Sequence, residues 1–182
     1  QDLITKINAL MPEQHGEPVS PNDSVQIYLF IAQAFSIQKR IEPAEQALKL
    51  AQKLRPDSAH LLHQYGKLLF LKQDYVKAVT FLENAHLVQP NSADILNDLG
   101  SAQLATGNIG AAITNFQQAI QHAPNLAMAH ANLGTALAYR GDIGTPLRAF
   151  LRATELAPQN HRIWLRMGRT LLNQGHLDIA EK

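Results

Sequence analysis

Apolar positions along this chain fall into short runs with helical spacing. Leu96, Leu99 and Leu104 form one stripe; after Gly107 and Asn108, a second is built by Ile109, Ala112, Ile113, Phe116, Ala119 and Ile120. Spacings of three and four put such residues on one side of an α-helix, whereas a half-buried strand would alternate them with polar residues. The stretch therefore predicts two helices joined by a tight turn. Gly107 is free to adopt positive φ there, and Gly100 lets a neighbouring helix come close to the first. Pro124 ends the second helix because it has no N–H to continue the ladder, and Asn125 is expected to cap the helix that follows.

The same pattern returns every 34 residues. Ala51, Ala85, Ala119 and Ala153 keep this interval, as do Pro56, Pro90, Pro124 and Pro158, and Gly66, Gly100, Gly134 and Gly168. Ala44, Ala78 and Ala112 form a further series that Pro146 interrupts and Ala180 resumes. The register divides the chain into units 25–58, 59–92, 93–126 and 127–160, with a fifth, partial unit over 161–182. Unit one carries Ala32 in place of the first-helix glycine. In unit four, Thr145 as N-cap with Pro146 at the first helical position predicts a shortened second helix. A hairpin of this size cannot bury its apolar face alone, so successive units are expected to stack into a quasi-one-dimensional superhelix with a continuous core.

Ahead of the repeats, Leu3, Ile4, Ile7 and Leu10 share one face of a short amphipathic helix over 1–11. Pro12, Gly16, Pro18 and Pro21 then read as a linker, closing the 1–24 region, before Asp23 or Ser24 caps unit one. The helix is expected to act as an N-terminal cap. Unit five stops early in its second helix, and the chain is read as part of a longer protein.

The repeated pattern of a large residue, Leu-Gly, Gly, Ala, an aromatic, Ala and Pro resembles the tetratricopeptide repeat; in the fifth unit it is carried by Trp164, Met167-Gly168, Gly175 and Ala180. The resemblance covers 25–182. It implies an all-α tetratricopeptide-repeat solenoid, a right-handed superhelix of antiparallel helix hairpins, here about four and a half repeats plus the short N-terminal helix. It also implies that the first helices line a concave groove that holds an extended or helical peptide. Carried over by position, the groove residues are Gln26, Leu29 and Gln33 in unit one, and His60, His63, Gln64 and Lys67 in unit two. Unit three supplies Asp94, Asn97, Asp98 and Ser101; unit four Met128, Ala131, Asn132 and Thr135; unit five Arg162, Leu165, Arg166 and Arg169. Some members clamp an acidic chaperone tail with two Lys or Arg, two Asn and a further Lys. Asn132, Arg162 and Arg166 fall on three of those five places, but Asn97 and Ser101 occupy the others, so that ligand is not expected.

Composition narrows the function classes. At 46% hydrophobic and only 6% aromatic, the chain can build a core and favours helix over sheet. A net charge of +1 gives no overall drive towards nucleic acid or an anionic membrane. The absence of cysteine removes disulfide frameworks, thiol nucleophiles and Cys-based zinc sites. No apolar run is long enough to span a bilayer and no signal segment is evident, so the chain is expected to be soluble and cytoplasmic, with no membrane insertion. No nucleophile elbow, phosphate loop or paired carboxylates appear, and no catalytic, cofactor or metal site is assigned. His60 and His63 have a spacing that could ligate metal, but without an evident third ligand they read as groove polarity, as do Asp94 and Asp98. His130 is expected in the core, together with Tyr65, Phe70, Phe81, Phe116, Phe150 and Trp164.

Charge is not evenly spread. Residues 140–169 hold six of the chain's eight arginines against Asp142 and Glu155, a local charge of +4. Arg162, Arg166 and Arg169 share one side of a helix, and the planar guanidinium suits carboxylate or phosphate. The leading expectation is thus a scaffold that binds a peptide or partner domain, with an anion-gripping end to its groove; a merely solvated basic face competes with the latter. Two alternatives are the substrate-recognition front of a larger enzyme, such as a glycosyltransferase or sulfotransferase, and a scaffold that self-associates through exposed repeat ends. Nucleic-acid binding is not expected, because no aromatics interleave with the basic positions.

Overall fold

The computed structural model describes residues 20–142 and 144–173. The expected helix over 1–11, most of its linker, and the second helix of unit five lie outside the described residues. Among the described residues every regular element is an α-helix: α1 (Pro21–Ile37), α2 (Ile41–Leu54), α3 (Ala59–Leu71), α4 (Tyr75–Val88), α5 (Ala93–Ala105), α6 (Ile109–His122), α7 (Ala127–Arg140), α8 (Thr145–Leu156) and α9 (His161–Asn173). They pair as antiparallel hairpins α1/α2, α3/α4, α5/α6 and α7/α8. Two compact units result, residues 1–89 and 90–182. The fold of the described residues is all-α, a series of helix hairpins at the expected 34-residue interval.

Local signals fix the helix ends. Ser58 and Ser92 cap α3 and α5 by accepting the Leu61 and Ile95 N–H groups, and Asp74 and Asn108 do the same for α4 and α6. The first helix departs from the expected register. Its cap is Ser20, whose Oγ accepts the Asp23 N–H at 3.2 Å, and Pro21 occupies the first turn; neither Asp23 nor Ser24 is the cap. This adds a turn, so α1 runs 17 residues where α3 and α5 run 13. Asn125 does not cap α7; the position is Leu126, without a side-chain bond. In unit four, α8 has 12 residues against 14 in α2, α4 and α6, as Pro146 leads one to expect. Its cap, however, is Gly144 at φ +81°, with Thr145 already helical.

Each hairpin turn needs one left-handed residue. Lys39, Gln73, Gly107 and Gly141 occupy the same repeat position, at φ +56°, +62°, +84° and +93°. Only the last two are glycines, so the first two turns hold an L-residue where its Cβ crowds the backbone.

Within each unit the core is built from the inner faces of the hairpins. In residues 20–89, Leu29, Ala32, Ala44, Leu48, Ala51, Leu61 and Leu68 close one cluster. In residues 90–173, Phe116 and Phe150 are completely buried, among Ala112, Ala136, Ala131 and Ala153. The hairpin glycines are where the helices touch. A Cβ on Gly66 would lie 2.5 Å from Leu82 Cγ, one on Gly100 2.8 Å from Phe116 Cε1, and one on Gly134 3.0 Å from Phe150 Cδ2. Trp164 departs from the expected core set: it is 45% exposed, and its Nε1 donates to Pro158 O at 3.0 Å. His130 is half-buried, with Nε2 donating to Pro124 O at 2.9 Å, and so belongs to the surface of the hairpin and not to its core.

Two substitutions test this account by denaturant titration. Gly100→Ala forces a methyl against the Phe116 ring and should destabilise by about 1–3 kcal/mol, the usual cost of overpacking. Gln73→Gly relieves the left-handed strain at the α3/α4 turn and should stabilise by up to about 1 kcal/mol; unchanged stability would show that the turn is not strained.

Candidate functional site

The strongest polar feature lies in residues 90–173, on the first helices α5, α7 and α9. Asn132, on α7, is only 4% exposed, a costly place for an amide unless its hydrogen bonds are made. They are made across the stack. Asn132 Nδ2 donates to Asn97 Oδ1 at 2.8 Å and to Ser101 Oγ at 3.2 Å on α5, and Arg166 Nη1 on α9 donates to Asn132 Oδ1. Asn97 Nδ2 in turn donates to Asp98 Oδ1 at 3.2 Å, and Ser101 Oγ to Asn97 O at 2.8 Å. The donors all point one way, from a guanidinium through two amides to a carboxylate, so each bond polarises the next. The 34-residue period produces this arrangement: equivalent turns of neighbouring first helices sit side by side, and Asp98, Asn132 and Arg166 hold one repeat position.

Arg166 ends the chain of bonds. It is half-buried, and loss of water, then Arg162 and Arg169 close by, lowers its pKa from the usual arginine value, with Tyr139 acting in the opposite sense. Its hydrogen-bond partner Asn132 is neutral, so the desolvated positive charge is held by an amide dipole and pressed by two further cations. Arg162 and Arg169 are exposed. The three arginines that the sequence placed on one helix side therefore do act on one another, at one end of the polar column.

Other expected groove positions divide by burial. Leu29 and Ala131, 1% and 0% exposed, are core residues of their respective units and cannot line a groove, and Met128 packs half-buried against the cluster that holds Ala131. Gln26 and Gln33 are exposed on α1, Asp94 on α5 and Leu165 on α9. Thr135 is half-buried and donates to Ala131 O at 3.1 Å. In residues 20–89, α3 carries His60, His63, Gln64 and Lys67. Gln64 is 6% exposed and its Nε2 lies 3.3 Å from His60 Nε2, an arrangement in which the amide donates to a neutral imidazole. The His60 pKa is lowered from the ordinary histidine value, first because the ring is partly desolvated and then because His63 and Lys67 are near. Among the described residues no group of three or more His, Asp or Glu could hold a metal.

With the geometry in view, comparison with known proteins gives the family. Models described as tetratricopeptide repeat match residues 25–58, 97–161 and 149–182. The chain belongs to the tetratricopeptide repeat family. As such it is a repeat scaffold of the protein-interaction type. Among curated proteins none matches by sequence. Among solved structures it is similar to TTC0263, a tetratricopeptide repeat protein of Thermus thermophilus, with a TM-score of 0.78 at 18% identity over 86% of each chain. It is also similar to YrrB, described as a tetratricopeptide repeat protein with an unusual peptide-binding site: TM-score 0.64 at 20% identity, covering 89% of this chain and 87% of that one. An O-GlcNAc transferase of Thermobaculum terrenum gives a TM-score of 0.71 at 24% identity over 76% of this chain but 27% of the other. Among the described residues no helix is long and apolar enough to cross a membrane.

Asn132→Ala removes the central member of the column and leaves Arg166 half-buried without its acceptor. The expected loss of stability is about 1–3 kcal/mol, the penalty of an unsatisfied buried polar group, read from chemical denaturation. A smaller effect would mean that water replaces the amide.

Proposed function

We propose that the chain is a peptide-binding module whose Asn132 and Arg166 column receives an acidic segment of a partner protein. The observation that carries this is the state of Arg166. A desolvated guanidinium held by a neutral amide and flanked by Arg162 and Arg169 gains most from a carboxylate, which offers charge and two acceptor oxygens in the plane of the fork. Asn97 and Ser101 hold Asn132, and Asn132 holds Arg166, so the cation is pre-oriented before a ligand arrives and less entropy is lost on binding. Arg162 and Arg169, which are exposed, add long-range attraction and a salt-dependent association rate.

Immobilised peptides ending in Asp or Glu provide the test. Arg162→Ala with Arg169→Ala should weaken binding about tenfold and flatten its salt dependence. Arg166→Lys, which keeps the charge but loses the fork, should weaken it by a similar factor. Binding indifferent to all three arginines would remove the reading and leave the basic stretch as a solvated face.

A second reading has one observation in its favour, the likeness to about a quarter of the O-GlcNAc transferase chain. On that reading the repeats present substrates to a catalytic domain encoded beside them. Sequencing the gene beyond the codon for Lys182 decides it: a following catalytic domain supports the reading, and a stop or further repeats only removes it.

A further inference from the structure

A cleft lies in the same compact unit as the polar column, on the other side of α7 from Asn132 and Thr135. His130, Leu133 and Leu137 recur at i, i+3 and i+7, a stripe turned away from the polar column, and form its floor between α6 and α8. The cleft measures about 660 Å³ and is open to solvent. Arg148 and Arg152, one helical turn apart, stand along its α8 wall.

The repeat register explains why it is there. Two units back, the counterpart of Leu133 is Tyr65, that of Ala149 is Phe81 and that of Ile120 is Gln52. In residues 20–89 those three side chains fill the corresponding place: the Tyr65 and Phe81 rings pack with centroids 5.2 Å apart, and Tyr65 Oη donates to Gln52 Oε1 at 3.1 Å. The rings are particular to unit two: the same two positions hold Ile31 and Ala47 in unit one, Leu99 and Asn115 in unit three, and Leu133 and Ala149 in unit four, where the space stays open as the cleft. The walls change too, since Arg148 and Arg152 stand where unit two has Thr80 and Asn84. At this spot unit four has less side-chain volume than unit two, and among the whole units it alone has positive charge there.

We propose that this cleft binds a peptide segment of a partner protein that carries an aromatic side chain next to Asp or Glu. The aromatic ring takes the apolar floor over Leu133 and Ala149, restoring the packing that Tyr65 and Phe81 make for themselves. The flanking carboxylates meet Arg148 and Arg152. Arg152 already pairs with Glu155 at 3.0 Å, but both side chains are half or more exposed, and a pair so placed is worth little and exchanges readily. The site is independent of the polar column: it uses none of the same residues, and failure of either proposal leaves the other standing.

The test uses short fluorescein-labelled synthetic peptides with one Phe or Tyr between Asp or Glu residues, followed by fluorescence polarisation. Leu133→Tyr with Ala149→Phe rebuilds the filling of unit two and should abolish binding, a loss of at least about tenfold, while circular dichroism shows an unchanged fold. Arg148→Ala with Arg152→Ala should weaken binding about tenfold and reduce its salt dependence, and Arg166→Lys should leave it unchanged. Should the filled variant not fold, the unaltered chain answers instead: a benzoylphenylalanine placed at the aromatic position of the peptide must cross-link to the Leu133 or Ala149 region. Undiminished binding to a folded filled variant, equal binding of a peptide with the aromatic changed to Ala, or cross-links on α9 would each overturn the proposal. So would concentration-dependent self-association abolished by the filling substitutions, which would make a second copy of this chain the occupant.

Discussion

In each central hairpin a bulky side chain of the second helix occupies the space where the first helix lacks a Cβ. Leu82 lies against Gly66, Phe116 against Gly100 and Phe150 against Gly134. Helix axes that approach this closely leave no room for error, because the contact is with ring or branch atoms in a close-packed interior. The rest of the structure depends on it. The close approach sets the separation of the two helices, and the small residues Ala44, Ala78 and Ala112 with the buried Pro146 continue the seam within the hairpins.

A repeat built this way turns sequence positions into columns. Residues 34 apart come to lie on equivalent turns of equivalent helices, so one position repeated down the chain becomes a line of neighbours within a unit. The column of Asp98, Asn132 and Arg166 shows the consequence. Each side chain would be an ordinary polar residue on an isolated helix; stacked, Asn132 and Arg166 share a hydrogen-bond chain that runs from a guanidinium to the Asp98 carboxylate. Burial strengthens that chain and makes each missing partner costly, which favours one geometry. Binding chemistry in such a scaffold can therefore be altered at single positions without touching the seam that holds the hairpins together.

The same periodicity gives each hairpin two faces that change independently. On one side of α7, Asn132 and Thr135 carry polarity; on the other, His130, Leu133 and Leu137 form the floor of a cleft whose counterpart in unit two is filled by aromatic rings. Leu133 and Ala149 pack less volume there than Tyr65 and Phe81 do in unit two, but the alanine and phenylalanine seam at Phe150 and Ala153 lies deeper and is complete without them.

The 34-residue interval of Gly, Ala and Pro was enough, by itself, to determine the helix pairs and the close contacts at Gly100 and Gly134, and Pro146 the shortening of α8, though not its cap, Gly144. Cap identity was only partly legible: Ser20 displaced Asp23 and Ser24, and Leu126 took the place expected for Asn125, since a helix can gain or lose a turn wherever neighbouring backbone allows. Which candidate groove residues are accessible was decided by tertiary structure. Leu29 and Ala131 are expected in the groove by position, yet they are core residues, because the helices packed around each of them cover that part of its helix face. The partnership of Asn132 with Arg166 joins residues 34 apart on different helices, and the unfilled space over Ala149 is set by what three helices leave between them. Neither is a property of any one stretch of sequence; both exist only once α5 to α9 have packed.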